Sequence, residues 1–375
     1  MKKILAMLLA LAMAFALTAC GGGSSNENPE SSQPVQGGTP DETQPAQDDP
    51  GTDAPAYDTA KLMFATTYNE METSGKAITY FTDYITEKSS GAITFDIKWG
   101  GTVAGTGEEL SFLQEGAFDM SVLGQSQYSA VFPLLNFPGQ TDESQQKCVD
   151  YFNYIVYENE ATASLIQAQI EAQGVKMLGF MANGGNAFAA KKEMSTLDEL
   201  KNYKLGVGMN HSAYESLGFS VQALMPWDAY DSLSKGIVDI AYMSTAPMIA
   251  LKWHEVAPYF ISVNEYSAGN YFTISLDRWN SFNADTQALF QEAMDATTEY
   301  SIQLMADEMA GVETALSEAG GKMLSLNEAD TQALVEALWN VAITDCRALA
   351  QNGNCVDDME TVLQACADYL DLPLE

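Results

Sequence analysis

The order of apolar and polar positions in the first folded stretch predicts strands and helices in alternation. Residues 61–67 form an apolar run, and residues 92–99 alternate between apolar and polar side chains, as half-buried strands do. Helices are predicted at residues 75–88 and 108–114, and a third strand at residues 117–123. This succession of strands and helices is typical of an α/β protein.

A second stretch of the same kind begins with a short polar helix at Thr196. Strands are predicted at residues 204–209 and 219–224, an amphipathic helix at 227–234, and a short apolar strand at 237–242. An α/β sheet uses such an order of helix, glycine, strand and loop to deliver a loop to a cleft.

The rest of the chain is predicted to be mainly helical. Helices are expected at residues 142–173, 250–259, 283–319, 327–350 and 359–370, and strands at 175–181, 270–276 and 322–326. The strand at 270–276 is expected to return to the first lobe.

One pattern occurs twice. Residues 112–120 (FLQEGAFDM) match residues 232–240 (SLSKGIVDI), which places both the two glycines and the two aspartates 120 positions apart. The repeat predicts two similar α/β lobes that face each other across a cleft, since its period is far too long for a solenoid.

The predicted architecture is a two-lobed α/β protein braced by a long helix. Its expected parts are a first lobe at residues 57–182 with a return strand near 266–282, a second lobe at 183–265, the long helix at 283–320, and a C-terminal helical segment at 321–375.

The N-terminal residues carry export signals. Residues 1–19 combine two lysines with an apolar run, and Leu17-Thr18-Ala19-Cys20 reads as a lipoprotein box, which predicts lipidation of Cys20. A plain cleaved signal with an accidental cysteine is the alternative. Residues 20–56 are acidic and almost free of large apolar side chains, and this composition predicts a disordered, lipid-anchored linker.

The charge excludes one class of partner. The 375-residue chain has 17 basic and 51 acidic residues, and removal of the signal peptide leaves a formal charge near −36. Nucleic acid is therefore not expected as a partner.

No cofactor, metal site or catalytic centre is expected. His211 and His254 are the only histidines, and no zinc-ligand spacing or hydrolase motif is present. Two alternatives stay open for the cysteines: a disulfide among the C-terminal three, with Cys346–Cys355 preferred, or reduced and packed side chains for Cys148, Cys346, Cys355 and Cys366 alike.

Residues 62–326 resemble the solute-binding proteins of tripartite ATP-independent periplasmic (TRAP) transporters, of the DctP type. The resemblance rests on the order of several motifs: 89–99, 110–120, 132–138, the Leu-Asp-Glu-Leu-Lys run from Leu197, Gly218, Asp228-x-Tyr230, Gly236-x-x-Asp239, and Trp279 before the long helix. It implies a periplasmic-binding-protein-like fold, a small solute bound between closing lobes, and membrane permease subunits as partners.

The resemblance also implies a carboxylate clamp that this sequence lacks. Two arginines and an asparagine hold the solute in many family members, and Gly206, Asn186 and Met243 stand at those positions here. Arg278 and Arg347 are the only arginines of the chain, and both lie outside the expected cleft. Gly206 is expected to leave room for a larger, less charged solute.

The predicted function is that of an extracytoplasmic, lipid-anchored solute-binding protein that is not an enzyme. The alternatives are a binding lipoprotein of an ATP-driven importer and a surface scaffold or adhesion lipoprotein. Hydroxyl, amide, aromatic and other groups are the candidate ligand-binding residues: Thr67, Glu70, Gln125, Tyr128, Asn183, Asn186, Gly206, Asn210, Trp227, Tyr242 and Met243. For each aromatic residue, a place in the core is an equal alternative.

Overall fold

The computed structural model describes residues 56–139, 144–263 and 267–374. The predicted signal peptide, Cys20 and nearly all of the predicted linker lie outside the described residues. The backbone of Asn183 is described, whereas its side chain is not.

The strands, in chain order, are β1 (Ala60–Ala65), β2 (Ile93–Lys98), β3 (Met120–Leu123), β4 (Val175–Asn183), β5 (Asn186–Ala190), β6 (Lys204–Val207), β7 (Ser220–Ala223), β8 (Ile240–Ser244), β9 (Tyr259–Ser262), β10 (Ser267–Ser275) and β11 (Lys322–Ser325).

The α-helices are α1 (Thr73–Lys88), α2 (Glu109–Gln114), α3 (Gln145–Asn153), α4 (Glu160–Glu171), α5 (Leu197–Leu200), α6 (His211–Ser216), α7 (Pro226–Lys235), α8 (Thr245–Ala250), α9 (Leu276–Asn280), α10 (Ala284–Glu318), α11 (Glu328–Gly353) and α12 (Val356–Leu370).

The strands form two mixed sheets, one in each lobe. The first has the order β2-β1-β3-β10-β4 and the second the order β11-β9-β5-β8-β6-β7. In the first, β1 pairs in parallel with β2 and β3; in the second, β6 pairs in parallel with β7 and β8. Strand β10 pairs antiparallel with β3 and β4, so the chain returns to the first sheet after it has built most of the second.

The repeated aspartates have the same structural role in both lobes. Asp119 accepts a hydrogen bond from the backbone N–H of Met63 at 2.8 Å, and Asp239 accepts one from the N–H of Lys204 at 3.0 Å. The N–H of each aspartate donates in return to the carbonyl of the same residue, at 3.0 and 2.9 Å. Each aspartate thus joins the start of one parallel strand to its neighbour, which explains the repeat without a role in binding.

The repeated glycines end the helices before those aspartates. Gly116 and Gly236 both have φ +72°, a left-handed conformation that a side chain disfavours. The repeated sequence pattern therefore corresponds to one supersecondary unit that occurs in both lobes, as the two-lobe interpretation requires.

The long helix α10 joins both lobes. Asn283 caps it by accepting a hydrogen bond from the N–H of Thr286 at 2.8 Å. Along β4, Gln291 donates to the carbonyl of Leu178 at 3.1 Å and Thr298 to that of Phe180 at 3.0 Å. Because β4 is an edge strand, these side chains satisfy backbone groups that no other strand reaches.

The far end of α10 packs into the second lobe. Val312 and Leu316 are buried there in one cluster with residues of β5, β8 and β9. Helix α11 also spans the lobes, since Leu334 and Leu338 belong to a second-lobe core whereas Trp339 belongs to that of the first lobe. The long bracing helix is confirmed, and α11 is a second brace that the sequence did not indicate.

Two predicted helices are wrong in extent. The helix expected at 142–173 is interrupted: α3 continues into a π-helical turn, Tyr154–Glu158, and α4 starts anew with Asn159 as its N-cap. The segment expected to be helical at 250–259 leaves the helix at Lys252, which has φ +63°, and then forms a 3-10 turn and strand β9.

The cysteines form no disulfide in the described part of the chain, so the preferred Cys346–Cys355 pairing is wrong. Cys346 is buried, and its thiol instead donates to the carbonyl of Asn136 at 2.9 Å. Burial raises the pKa of Cys148 and of Cys346 to about 12, so both thiols stay protonated at neutral pH. The structure matches the alternative of reduced, packed side chains.

The space expected beside Gly206 is already occupied. A Cβ atom at this position would lie 2.4 Å from Cδ2 and 3.2 Å from Cβ of Leu224. Leu224 follows β7, which pairs with β6 at Gly206. The room expected beside this glycine is therefore taken up by Leu224, and the larger, less charged solute stays a prediction.

We predict that Asp119→Ala lowers the free energy of unfolding by about 2–3 kcal/mol, because it removes the acceptor of both Met63 N–H and the Arg278 guanidinium, which lies 2.8 Å from Asp119. Asp239→Ala is the matched control, since it removes the same backbone bond without an arginine, and a loss of about 1 kcal/mol is expected. Urea unfolding measures both values, and an equal or larger loss in the control would contradict the assignment.

We also predict that Gly206→Ala destabilises the protein by about 1–3 kcal/mol, the usual cost of overpacking. Gly208→Ala is the control and should cost less, because its Cβ atom would meet its nearest neighbour at 3.6 Å. In a Leu224→Ala background the cost of Gly206→Ala should fall, which a double-mutant cycle in urea measures. An unchanged cost would show that Leu224 is not the obstacle.

Candidate functional site

The parallel strands of each sheet direct their carboxyl ends to one edge. In the first sheet β1 and β3 end at Ala65 and Leu123; in the second, β6, β7 and β8 end at residues 207, 223 and 244. Loops that follow the carboxyl ends of parallel strands are the usual place for a ligand in α/β proteins. A binding site is therefore expected where these loops from both lobes approach each other.

A cavity of about 250 Å³ lies at that junction. The first lobe contributes the start of α1, the second contributes the turn from β8 to α8, and the end of β4 and the middle of α10 close the remaining sides. The hydroxyl-bearing residues Thr73, Ser74, Ser244 and Ser301 line it, together with apolar residues that include Met181 and Met305. The cavity therefore offers hydrogen bonds and apolar contact to a small molecule.

Glu308 of α10 is the one charged side chain among the described residues that line the cavity. Its Oε1 accepts a hydrogen bond from the Thr73 hydroxyl at 3.3 Å. Burial raises the pKa of this carboxyl above its usual range, whereas the Thr73 hydroxyl and nearby Lys76 act in the opposite direction.

A tyrosine holds the loop that follows β1 beside the cavity. The Tyr68 hydroxyl donates to Oδ1 of Asn270 at 2.8 Å and also hydrogen-bonds the Ser74 side chain. Burial is the main reason why the pKa of Tyr68 rises to about 12. Asn270 lies at an irregularity of β10 with φ +62°, so a bulge in the return strand helps to position the loop.

The predicted residues of the first lobe do not all reach this region. Thr67 is half-buried directly after β1, and Glu70 is exposed in the same loop. Gln125 donates to the carbonyl of Leu135 at 2.8 Å, within its own lobe. Tyr128 is buried and donates to the Glu109 carboxylate, so it is part of the core, as the alternative for each aromatic allowed.

Of the predicted residues of the second lobe, some lie beside the cavity and others lie in the core. Asn186, the first residue of β5, accepts a hydrogen bond from the Ser244 hydroxyl at 2.9 Å, which places it beside the cavity. Tyr242 is buried against Phe188 and Tyr214, with ring centroids 4.8 and 5.3 Å apart, and it too is a core residue.

Met243 and Tyr242 belong to different clusters because consecutive strand residues point to opposite faces of a sheet. Met243 is half-buried against the cluster that includes α10. Asn210 follows β6 and is exposed, with φ +56°. The space beside Gly206 is occupied by the side chain of Leu224. Asn183 ends β4 where the chain passes towards the second sheet.

Large apolar side chains are exposed at the carboxyl edges of both sheets. Trp227 is 70% exposed, and Met225 at the start of the same helix and Met209 after β6 are exposed as well. Met71, after β1, is 80% exposed at the corresponding edge of the first sheet. These side chains lie near the edges to which the parallel strands of the two sheets direct their carboxyl ends.

Neither arginine of the chain lies at this edge. The Arg278 guanidinium forms an ion pair with Asp119 at 2.8 Å, before the start of β3, and Arg347 pairs with Glu360 at 2.7 Å in the C-terminal helices. Both guanidinium groups are thus paired with carboxylates away from the carboxyl edges of the sheets. Lys98 pairs with Asp96 at 2.8 Å.

A larger groove of about 530 Å³ runs along α1 and α10 and includes Glu70. Tyr80 and Tyr300 stack in it with ring centroids 4.4 Å apart. Its lining comes from the first lobe and α10, without loops of the second sheet. We regard the junction cavity as the candidate site because both lobes build it.

The sequence did not single out Thr73, Ser74, Ser244, Met305 or Glu308. Ser244 directly follows Met243, which was a predicted site residue, so its place at the end of the strand could have indicated it. Glu308 is one of many acidic positions on α10, and nothing in the sequence distinguishes it from the others. Its place in the cavity depends on how the long helix packs.

The described residues hold neither a cluster of metal-binding side chains nor a helix suited to cross a membrane. No group of three or more His, Cys, Asp or Glu side chains could hold a metal ion there. None of the helices that the structure describes is both long and apolar enough to cross a membrane.

Comparisons with known proteins agree with this geometry. The DctP family profile, described as bacterial extracellular solute-binding protein, family 7, matches residues 64–343. A solute-binding protein of Sulfitobacter sp. (strain NAS-14.1) is 24% identical over 254 residues, which cover 66% of this chain and 75% of the relative.

Solved structures of TRAP periplasmic solute-binding proteins share the fold. An apo open structure from Rhodobacter sphaeroides has a TM-score of 0.68 at 17% identity, and the alignment covers 83% of this chain and 98% of that chain. One from Sulfitobacter sp. NAS-14.1, with bound β-D-galacturonate, has a TM-score of 0.59 at 18% identity. Its alignment covers 81% of this chain and 100% of that chain. The predicted two-lobed fold class is confirmed.

The profile match extends over most of the chain and overlaps every described strand of both sheets. It confirms the resemblance to the TRAP transporter proteins, and the family consists of binding proteins for transport, not enzymes. The chain belongs to the DctP family of bacterial extracellular solute-binding proteins.

Proposed function

We propose that this protein is the extracytoplasmic, lipid-anchored solute-binding subunit of a TRAP-type secondary importer. It captures a small polar or aromatic solute by closure of the two lobes and delivers it to membrane permease subunits. The observation that carries the proposal is the junction cavity, which α1 and the end of β8 build from opposite lobes.

Closure of the lobes is favoured when it buries apolar side chains that are exposed in the open form. Trp227, Met209 and Met225 are exposed at the edge of the second sheet, and Met71 at that of the first. Burying one such side chain contributes about 1.5–3 kcal/mol. A solute that contacts both lobes adds its own free energy and shifts the equilibrium towards the closed form.

The proposed solute contact differs from an arginine clamp. Structural relatives were solved with organic acids, such as malonate in the Rhodoferax ferrireducens protein. Here Gly206 is packed against Leu224, and both arginines form ion pairs elsewhere. Hydroxyl groups such as those of Thr73 and Ser244 supply the polar contacts instead.

We predict that a solute identified by mass spectrometry of protein purified from its natural host stabilises the wild-type protein. When the free solute concentration is one hundred times Kd, binding raises the free energy of unfolding by about 2.7 kcal/mol. A thermal-shift measurement detects this gain as a higher Tm. Ser244→Trp should abolish the gain because it fills the cavity, whereas Ser220→Trp, at the opposite edge of the same sheet, should keep it. Equal gains in the two variants would contradict the proposed site.

For the lipid anchor, we predict that Cys20→Ala moves the protein from the membrane fraction to the soluble extracytoplasmic fraction, because it removes the thiol that would be acylated. Cell fractionation with immunoblotting measures the distribution. Cys355→Ala, a cysteine of the folded part, is the control and should leave it unchanged. Retention of Cys20→Ala in the membrane fraction would favour a different anchor.

A further inference from the structure

We propose that the solute carries an ammonium or comparable cationic group, and that the Glu308 carboxylate binds this group in the junction cavity. The inference rests on the solute-binding function proposed above and names the chemical class of the solute. It follows from the one charged side chain among the described residues of the cavity lining, Glu308 of α10, and from the positions of the basic side chains elsewhere.

The described lining of the cavity contains one carboxylate and no basic side chain. Among its described lining residues, Glu308 alone is charged, and the hydroxyls of Thr73, Ser74 and Ser244 surround the same space. An ammonium group has three N–H donors and no acceptor, so one carboxylate and several hydroxyl oxygens suit it. Met181 and Met305 can contact the carbon skeleton of such a solute.

Glu308 is only partly compensated by the protein. The Thr73 hydroxyl donates to it at 3.3 Å, and no described lysine or arginine forms an ion pair with it. Burial is the largest influence on its pKa and raises it, which means that the ionised form is poorly solvated in the folded protein. A bound cation would supply the missing countercharge.

An anionic solute would meet the opposite situation. It would approach a protein with a formal charge near −36 after export and enter a cavity whose lining carries a carboxylate. Lys76 is the basic group that acts on Glu308, and it lines the neighbouring groove along α1, outside the cavity lining. Lys76 and the N-terminus of α1, which lines the cavity, could both attract an anion, and a Lys76 variant tests the first of them.

A metal ion fits the cavity less well than an organic cation. Calcium and magnesium need several oxygen ligands in a compact set, usually with more than one carboxylate. The described residues contain no group of three acidic or other metal-binding side chains, and Glu308 is alone in the cavity lining that the structure describes. One carboxylate with neighbouring hydroxyls and methionines favours an amine.

The test compares Glu308→Gln with Glu313→Gln, which changes an exposed glutamate on the same helix. Isothermal calorimetry is run on the full exported domain with probes matched in shape: putrescine against succinate, and cyclohexylamine against cyclohexanecarboxylate. Any solute that co-purifies from the natural host is added to the panel. We expect amines to bind and acids not to bind, at least a tenfold loss of amine affinity in Glu308→Gln, and no loss in Glu313→Gln.

A second readout separates binding from structural support. Because the folded protein disfavours ionised Glu308, Glu308→Gln should raise the Tm of the solute-free protein at pH 7 while it weakens amine binding. Glutamine keeps an oxygen that accepts the Thr73 hydrogen bond. A lower Tm together with lost binding would mean that Glu308 supports the fold, and this would overturn the inference.

The outcomes also distinguish the inference from the proposed function. If an acid binds and Lys76→Gln abolishes its binding, the inference is wrong and the solute-binding function stands. If a neutral solute binds equally to wild type and Glu308→Gln, the same conclusion holds. If neither the probes nor solutes from the host bind at all, both the inference and the proposed function are contradicted.

Discussion

The contact between α10 and the edge strand β4 is the constraint on which the arrangement of the lobes depends. An edge strand exposes backbone groups that need partners, and Gln291 and Thr298 supply them from the helix. Gly179 permits this approach, since a Cβ atom there would lie 2.5 Å from Cγ of Met294. The same helix then reaches the second core at Val312 and Leu316. Its 35 residues thus fix one lobe firmly and provide a wall for the space between both.

This wall gives the cavity its chemistry. Each lobe brings neutral groups to the junction, such as Ser74 of α1 and Ser244 of β8, and the charge among the described lining residues comes from Glu308 on α10. The guanidinium groups serve the scaffold instead, as the pairing of Arg278 with Asp119 shows. The candidate site therefore lies on the scaffold of the DctP family, and both arginines of the chain form ion pairs outside it.

Particular residues show how far the sequence alone predicted the structure. The echo of Gly116 and Asp119 in Gly236 and Asp239 indicated two equivalent units, because a left-handed helix end and a strand-joining carboxylate each require a specific residue type. Strand β9 was missed because a turn at Lys252, which has no recognisable signal, ends the preceding helical pattern early. Tyr128 and Tyr242 were candidates for the site because the sequence does not show which face of an element is buried.

The sequence by itself determined the alternation of strands and helices, the long helix, the duplicated unit and the scarcity of arginine, since these follow from local spacing and residue type. Only the tertiary structure decided which side chains meet. Leu224 fills the space beside Gly206 across two paired strands, and Glu308 enters the cavity from a helix more than 60 positions beyond Ser244 in the chain. Contacts between distant positions depend on how whole elements pack, and no local pattern records that.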